Sequence, residues 1–167
     1  MNKLLVTTFI ILISIGTLSF DDFLGKNIKN ISYDLTEVDS ELKTYSLSNQ
    51  KVDFLSKSID QVILTTNKNN IIVSIGAEFE GIFDKNFFNE LVLAYGEPSH
   101  MLKNSKIINE KTETLEKGVT AKSSESELVE CKFENKPMFI LWNMPNKKIT
   151  ITMQRPISKT FVVIKKK

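Results

Sequence analysis

Cysteine, histidine and arginine occur once each in these 167 residues, as Cys131, His100 and Arg155. Each scarcity removes a class of chemistry. A lone cysteine forms no intrachain disulfide, so stability has to come from a hydrophobic core. One histidine and one cysteine do not make the usual zinc ligand set, and the Asp-x-Asp-x-Asp-Gly calcium loop is missing, so no metal is expected. Basic character is otherwise all lysine. Arginine is the side chain that grips phosphate or carboxylate bidentately, and a polyanion site is poorly equipped without it. Lys and Arg number 22 against 20 Asp and Glu, a near balance whose field favours neither nucleic acid nor anionic lipid. There is also no Gly-x-Ser-x-Gly elbow, no phosphate-cradling glycine loop and no dinucleotide fingerprint, so no cofactor is expected.

What is present starts at the first residue. Met1-Asn2-Lys3 precede an uncharged, mostly apolar run from Leu4 to Leu18, with small residues at Thr17 and Ser19. A short basic start, an apolar stretch and small residues before a cut are the layout of a secretory signal peptide. The run is shorter than the roughly 20 apolar residues of a membrane span, and Asp21-Asp22 follow with no basic stop-transfer cluster. The expectation is a signal peptide over residues 1–19, cleaved after Ser19 or Phe20, and a periplasmic or secreted domain over 20–167. Removing 1–19 takes away only Lys3, leaving 21 basic residues against 20 acidic ones, so no strong membrane binding is expected after cleavage. An uncleaved leader would instead tether the same domain to a membrane. No cysteine closes the apolar run, so a lipid-anchored form lacks its attachment residue. Abundant Lys, Asn and Ile beside one arginine fits an AT-rich bacterial genome.

Along the domain, Leu24, Ile28 and Ile31 at helical spacing predict a short N-terminal helix over about 22–32. Leu35, Val38, Leu42 and Tyr45 fit a helical stripe, with strands expected after about Glu41. Residues 61–79 read as a hairpin around Asn67-Lys68-Asn69-Asn70, with Gly76 marking a bulge or bend. A helix over 84–95 follows, capped by Asp84, stapled by Phe83 on Phe88, and stopped by Gly96 and Pro98. Its stripe of Phe87, Phe88, Leu91, Val92 and Tyr95 requires a sheet to lie on. Residues 103–127 are a polar excursion: a surface loop or two exposed strands, with a binding loop as the functional alternative. Residues 128–165 read as an antiparallel meander of strands 128–133, 138–142, 148–153 and 160–165, with each proline in a turn. The fold class is therefore α+β, an antiparallel sheet covered on one face by the helix.

Candidate chemistry is thin. Cys131 and His100 would make a thiolate nucleophile if they met, but Cys131 alternates with Val129 and Phe133 and reads as a core residue. Glu78 and Glu80 share a strand face and would make an acid/base pair if like-charge repulsion raised one pKa; solvated carboxylates are the simpler reading. Trp142 lies in Phe139-Ile140-Leu141-Trp142-Asn143, where one alternating set must face away from the core. If that set is exposed, Trp142 and its neighbours are the best interface candidate, since aromatics anchor interfaces.

A helix ending in Tyr95-Gly96-Glu97-Pro98, followed by a strand with Trp142 and the alternating Ile149–Met153, resembles small exported bacterial α/β modules. These are the small outer-membrane assembly lipoproteins and the repeat unit of β-lactamase inhibitor proteins. The resemblance covers about residues 84–154 and implies a binding role rather than catalysis. It transfers no site residue. The function expected is an exported, non-enzymatic module that binds an envelope or extracellular protein. The alternatives are an exported hydrolase using Cys131/His100 or Glu78/Glu80, and a membrane-anchored envelope domain.

Overall fold

The computed structural model describes residues 18–47, 52–59, 61–114 and 120–167. Among these described residues, twelve strands and one α-helix run in the order β1 (Leu18–Ser19), β2 (Leu35–Asp39), β3 (Thr44–Leu47), β4 (Val52–Phe54), β5 (Lys57–Ile59), β6 (Val62–Thr66), β7 (Ile72–Glu80), α1 (Lys85–Tyr95), β8 (His100–Thr114), β9 (Thr120–Glu130), β10 (Phe139–Asn143), β11 (Lys147–Gln154) and β12 (Lys159–Lys166). Nine strands form one sheet in the order β2-β3-β6-β7-β12-β11-β10-β8-β9, and β1, β4 and β5 form a small second one. Every pair in the large sheet is antiparallel. The architecture is α+β and mostly strand, as the sequence pattern indicates.

The turns have local causes. Between β6 and β7 the Asn67 Oδ1 accepts from the backbone N–H of Asn69 and of Ile71, at 2.9 and 3.1 Å. Asn70 sits at φ 61°, a left-handed conformation that asparagine tolerates better than most residues. At α1 the Asp84 Oδ1 accepts from Phe87 N–H at 2.8 Å, satisfying one of the helix's unpaired donors. Gly96 ends the helix at φ 79° and ψ −172°, a region nearly restricted to glycine.

The core lies between the large sheet and a cover of α1, the β4–β5 hairpin and the turn Phe20–Phe23. The sheet supplies Ile75, Ile140, Trp142, Ile149, Ile151, Val162 and Ile164, all at or below 1% exposure. Phe54 is the hub of the cover. Its ring lies 5.3 Å from Phe20, 6.0 Å from both Phe79 and Phe87, and 6.4 Å from Tyr95. Aromatic rings at such separations add to the area they bury.

Several expectations change. The N-terminal helix is two short 3-10 turns, Phe20–Phe23 and Ile28–Asn30. β2 occupies part of the supposed helical stripe, and Val38 and Leu42 are exposed; β2 is an edge strand beside β3, with a register shift between Glu37 and Asp39. Phe83 meets Phe87 at 4.3 Å rather than stapling Phe88, whose ring stacks on Phe133 at 4.4 Å. That stacking explains another difference. The strand expected over 128–133 ends at Glu130, and Phe133–Asn135 is a 3-10 turn docked on the helix. β9 lies outside β8 at the sheet edge, so the meander proper is β10-β11-β12. Gly76 makes no bulge: it pairs with Ile63 on one side and Val163 on the other. The polar excursion forms the strands β8 and β9, apart from residues 115–119, which lie outside the described residues together with residues 1–17 of the leader expected over 1–19.

Candidate interaction surface

The large sheet has two faces, and the described elements cover one. Register defines the other. One row crosses Ile63, Gly76, Val163, Thr150, Leu141 and His100. The next crosses Glu78, Phe161, Thr152, Phe139, Leu102 and Glu130. Cross-strand partners share a face, so these rows form a band in which Val163 and Phe161 on one side and Leu141 and Phe139 on the other flank Thr150 and Thr152. Its apolar members are half-buried, shielded by their neighbours within the sheet. Over β6 to β8 the band spans five strand spacings by two side-chain rows, roughly 24 by 14 Å. That outline also holds Thr150, Thr152, Glu78 and His100, so its apolar share is smaller than the roughly 300–600 Å² of the largest apolar patch of a typical monomer. Because Gly76 carries no side chain, the face dips between Ile63 and Val163. An open concavity of about 770 Å³ lies there, bounded by the β5 end and by Glu78 and Phe161.

Charges bracket the band. At one end Lys159 Nζ donates to Glu78 Oε1 and lies 3.6 Å from Glu80 Oε1. The Glu78 hydrogen bond, ahead of all other effects, pushes the Lys159 pKa up. Glu78 and Glu80 do share the face expected of them, but the ammonium between them offsets the repulsion that an acid/base pair would exploit. At the other end Lys148 and Lys165 stand opposite each other across β11 and β12.

Trp142 is not on this face. It is 1% exposed, and its indole N–H donates to the Gly96 carbonyl at 2.8 Å. The alternation in β10 sends Ile140 and Trp142 to the core and Phe139 and Leu141 to the open face. The correction is physical: the indole needs both apolar cover and an acceptor, and the end of α1 supplies both. The sequence signal for the open face lay in Phe161-Val162-Val163-Ile164, apolar at both parities, and in Phe139-Ile140-Leu141-Trp142.

His100 and Cys131 do not pair. The His100 Nδ1 lies 2.6 Å from Glu130 Oε1, both side chains more than half exposed. Cys131 lies just past β9, half-buried, its N–H donating to the Met101 carbonyl at 2.8 Å. Burial is the first cause pushing the Cys131 thiol up, Lys103 opposing and Glu130 adding; a thiolate nucleophile needs the reverse. Among the described residues no cluster of three or more His, Cys, Asp or Glu could hold a metal, and no helix is long and apolar enough to cross a membrane. The β8–β9 ribbon exposes Ile107, Ile108 and Leu128 as separate apolar residues amid polar ones. A second concavity of about 480 Å³ lies between Met138, Met153, Arg155 and Ile157.

No protein-family model matches the chain, and no curated protein or solved structure matches it.

Proposed function

We propose that this is an exported bacterial protein that binds another protein of the envelope or the extracellular space, without catalysis of its own. The observation that carries the reading is the open band of the large sheet, where Phe161 and Val163 on one side and Phe139 and Leu141 on the other flank Thr150 and Thr152. Apolar side chains on an open face lose little by being covered, and covering them is favourable at about 25 cal/mol per Å². The band is smaller than the roughly 800 Å² per partner of a stable interface. A partner therefore also engages the flanking Glu78–Lys159–Glu80 and Lys148–Lys165 groups, which give register and specificity more than affinity. The N-terminal leader pattern supports the export half of the reading. The likeness of residues 84–154 to exported binding modules points the same way.

A pull-down from the native envelope tests this with the full chain and with a Leu141→Lys/Phe161→Lys variant. Both substitutions fall on half-buried open-face positions, so the variant retains its fold, as circular dichroism checks. The reading expects a protein retained by the natural sequence and lost with the folded variant. Equal retention by both would place binding elsewhere on the molecule.

A further inference from the structure

The folded domain reaches further towards the N-terminus than the leader layout alone implies. β1 pairs in parallel with β4, Leu18 opposite Val52 and Ser19 opposite Asp53. Phe20 is 1% exposed and Phe23 0%, and the Phe20 ring lies 5.3 Å from the Phe54 hub. Next to it the Asp21 carboxylate accepts from Lys147 Nζ, the two side chains 28% and 16% exposed. The Lys147 ammonium in turn lies 4.9 Å from the centre of the Tyr95 ring. Phe20 and Phe23 are therefore part of the core and Asp21 of its polar border, with the β1 backbone paired just before them.

Both cuts that the layout first proposes conflict with this. Cleavage after Phe20 removes a core aromatic and the whole of β1. Cleavage after Ser19 removes β1 and leaves a new charged α-amine on a residue that is almost entirely inside, where an unpaired ammonium is strongly disfavoured. An envelope endopeptidase that removes leaders requires small residues one and three positions before the bond. Upstream of Leu18 the sequence meets that requirement once, at Ser14-Ile15-Gly16. The apolar stretch before it, Leu4–Ile13, has a length within the roughly 7–15 residues of a leader's apolar region.

We infer that the processing site is the Gly16–Thr17 bond, so that the exported protein begins Thr17-Leu18-Ser19-Phe20 and keeps β1. The step is a hydrolysis. The amide C–N bond breaks, water supplies hydroxyl to the Gly16 carbonyl and a proton to the Thr17 nitrogen, and no oxidant or reductant takes part. The inference rests on the export reading, and its test separates the two.

The full chain is produced in a bacterium, the exported protein is recovered, and its first residues are sequenced. Thr17 as the first residue is the expected result. Phe20, Asp21 or any other new start overturns the assignment and leaves export standing. An intact Met1 on the exported protein overturns the assignment in favour of a membrane-tethered form, and a chain found only inside the cell overturns export itself. The variant Gly16→Leu puts a large side chain directly before the bond, and the form beginning at Thr17 is expected to be lost while unprocessed chain accumulates. Continued production of that form from the variant would overturn the assignment as well.

Discussion

Alanine at Trp142 and, separately, at its neighbour Leu141 interrogates both faces of the large sheet from adjacent positions on one strand. Trp142 is 1% exposed, donates to the Gly96 carbonyl and lies 6.3 Å from the Tyr95 ring. Truncating a tryptophan in such a site costs the transfer of its ring plus the cavity left behind, about 3–5 kcal/mol. That is a large part of the roughly 5–15 kcal/mol that holds a domain folded. Leu141 is half-buried with no described element over it. A fully buried leucine gains about 1.5–3 kcal/mol, so Leu141→Ala should cost about 1 kcal/mol. Urea unfolding followed by far-UV circular dichroism measures both, since Trp142→Ala removes the only tryptophan. The denaturant slope should be unchanged for each. Should Trp142→Ala fail to fold, Trp142→Phe keeps most of the ring and still loses the indole hydrogen bond, at about 1–3 kcal/mol. Equal costs at 141 and 142 would refute the reasoning, because the supposedly open face would then be as buried as the core.

Three further outcomes follow from local geometry. Gly96→Ala meets no atom within 4 Å, so its cost is conformational alone; at φ 79° and ψ −172° it should lower stability by about 1–3 kcal/mol, and an unchanged urea midpoint would contradict this. Asp84→Ala removes the cap on Phe87 N–H and should cost about 1 kcal/mol, which equilibrium unfolding reads directly. The Tyr95 phenol is pushed well above its ordinary value by burial first, then by the charge of Asp21 and a hydrogen bond to it. Its proton is held more tightly in the folded state, so its contribution is intact below pH about 10. Above that the unfolded state ionises first, and stability falls by up to about 1.4 kcal/mol per pH unit. Tyr95→Phe should remove that share of the alkaline loss; identical midpoint-against-pH curves for the two proteins would show that Tyr95 is not held this way.

Elements with strong punctuation were legible from the residues alone. Asp84, Gly96 and Pro98 bounded the helix, and Asn67–Asn70 marked the hairpin, because caps and turns are local chemistry. The alternation of Ile149, Ile151 and Met153 gave a sheet with one buried face for the same reason. What the residues did not reveal depends on contacts distant in sequence. Phe133 leaves its strand because Phe88 offers it a stacking partner, and β9 lies beyond β8 because it pairs with β8, which itself takes the place beside β10. The three-residue strands β4 and β5 are too short to carry a period, yet they bring Phe54 to the centre of the cover. The candidate surface was half visible. Phe139 to Trp142 required one alternating set to face outward, but which set did so was decided by the indole finding an acceptor at the end of α1.

The central claim is that the open band through Leu141 and Phe161 is where this protein meets a partner. Its most direct test places a photo-activatable cross-linking residue at position 141 of the full chain in the native envelope, with the same residue at exposed Val38 as the control. The account predicts a discrete protein adduct from position 141 that disappears in a Phe161→Lys background, and none from position 38. Equal adducts from both positions, or none from 141, would contradict it.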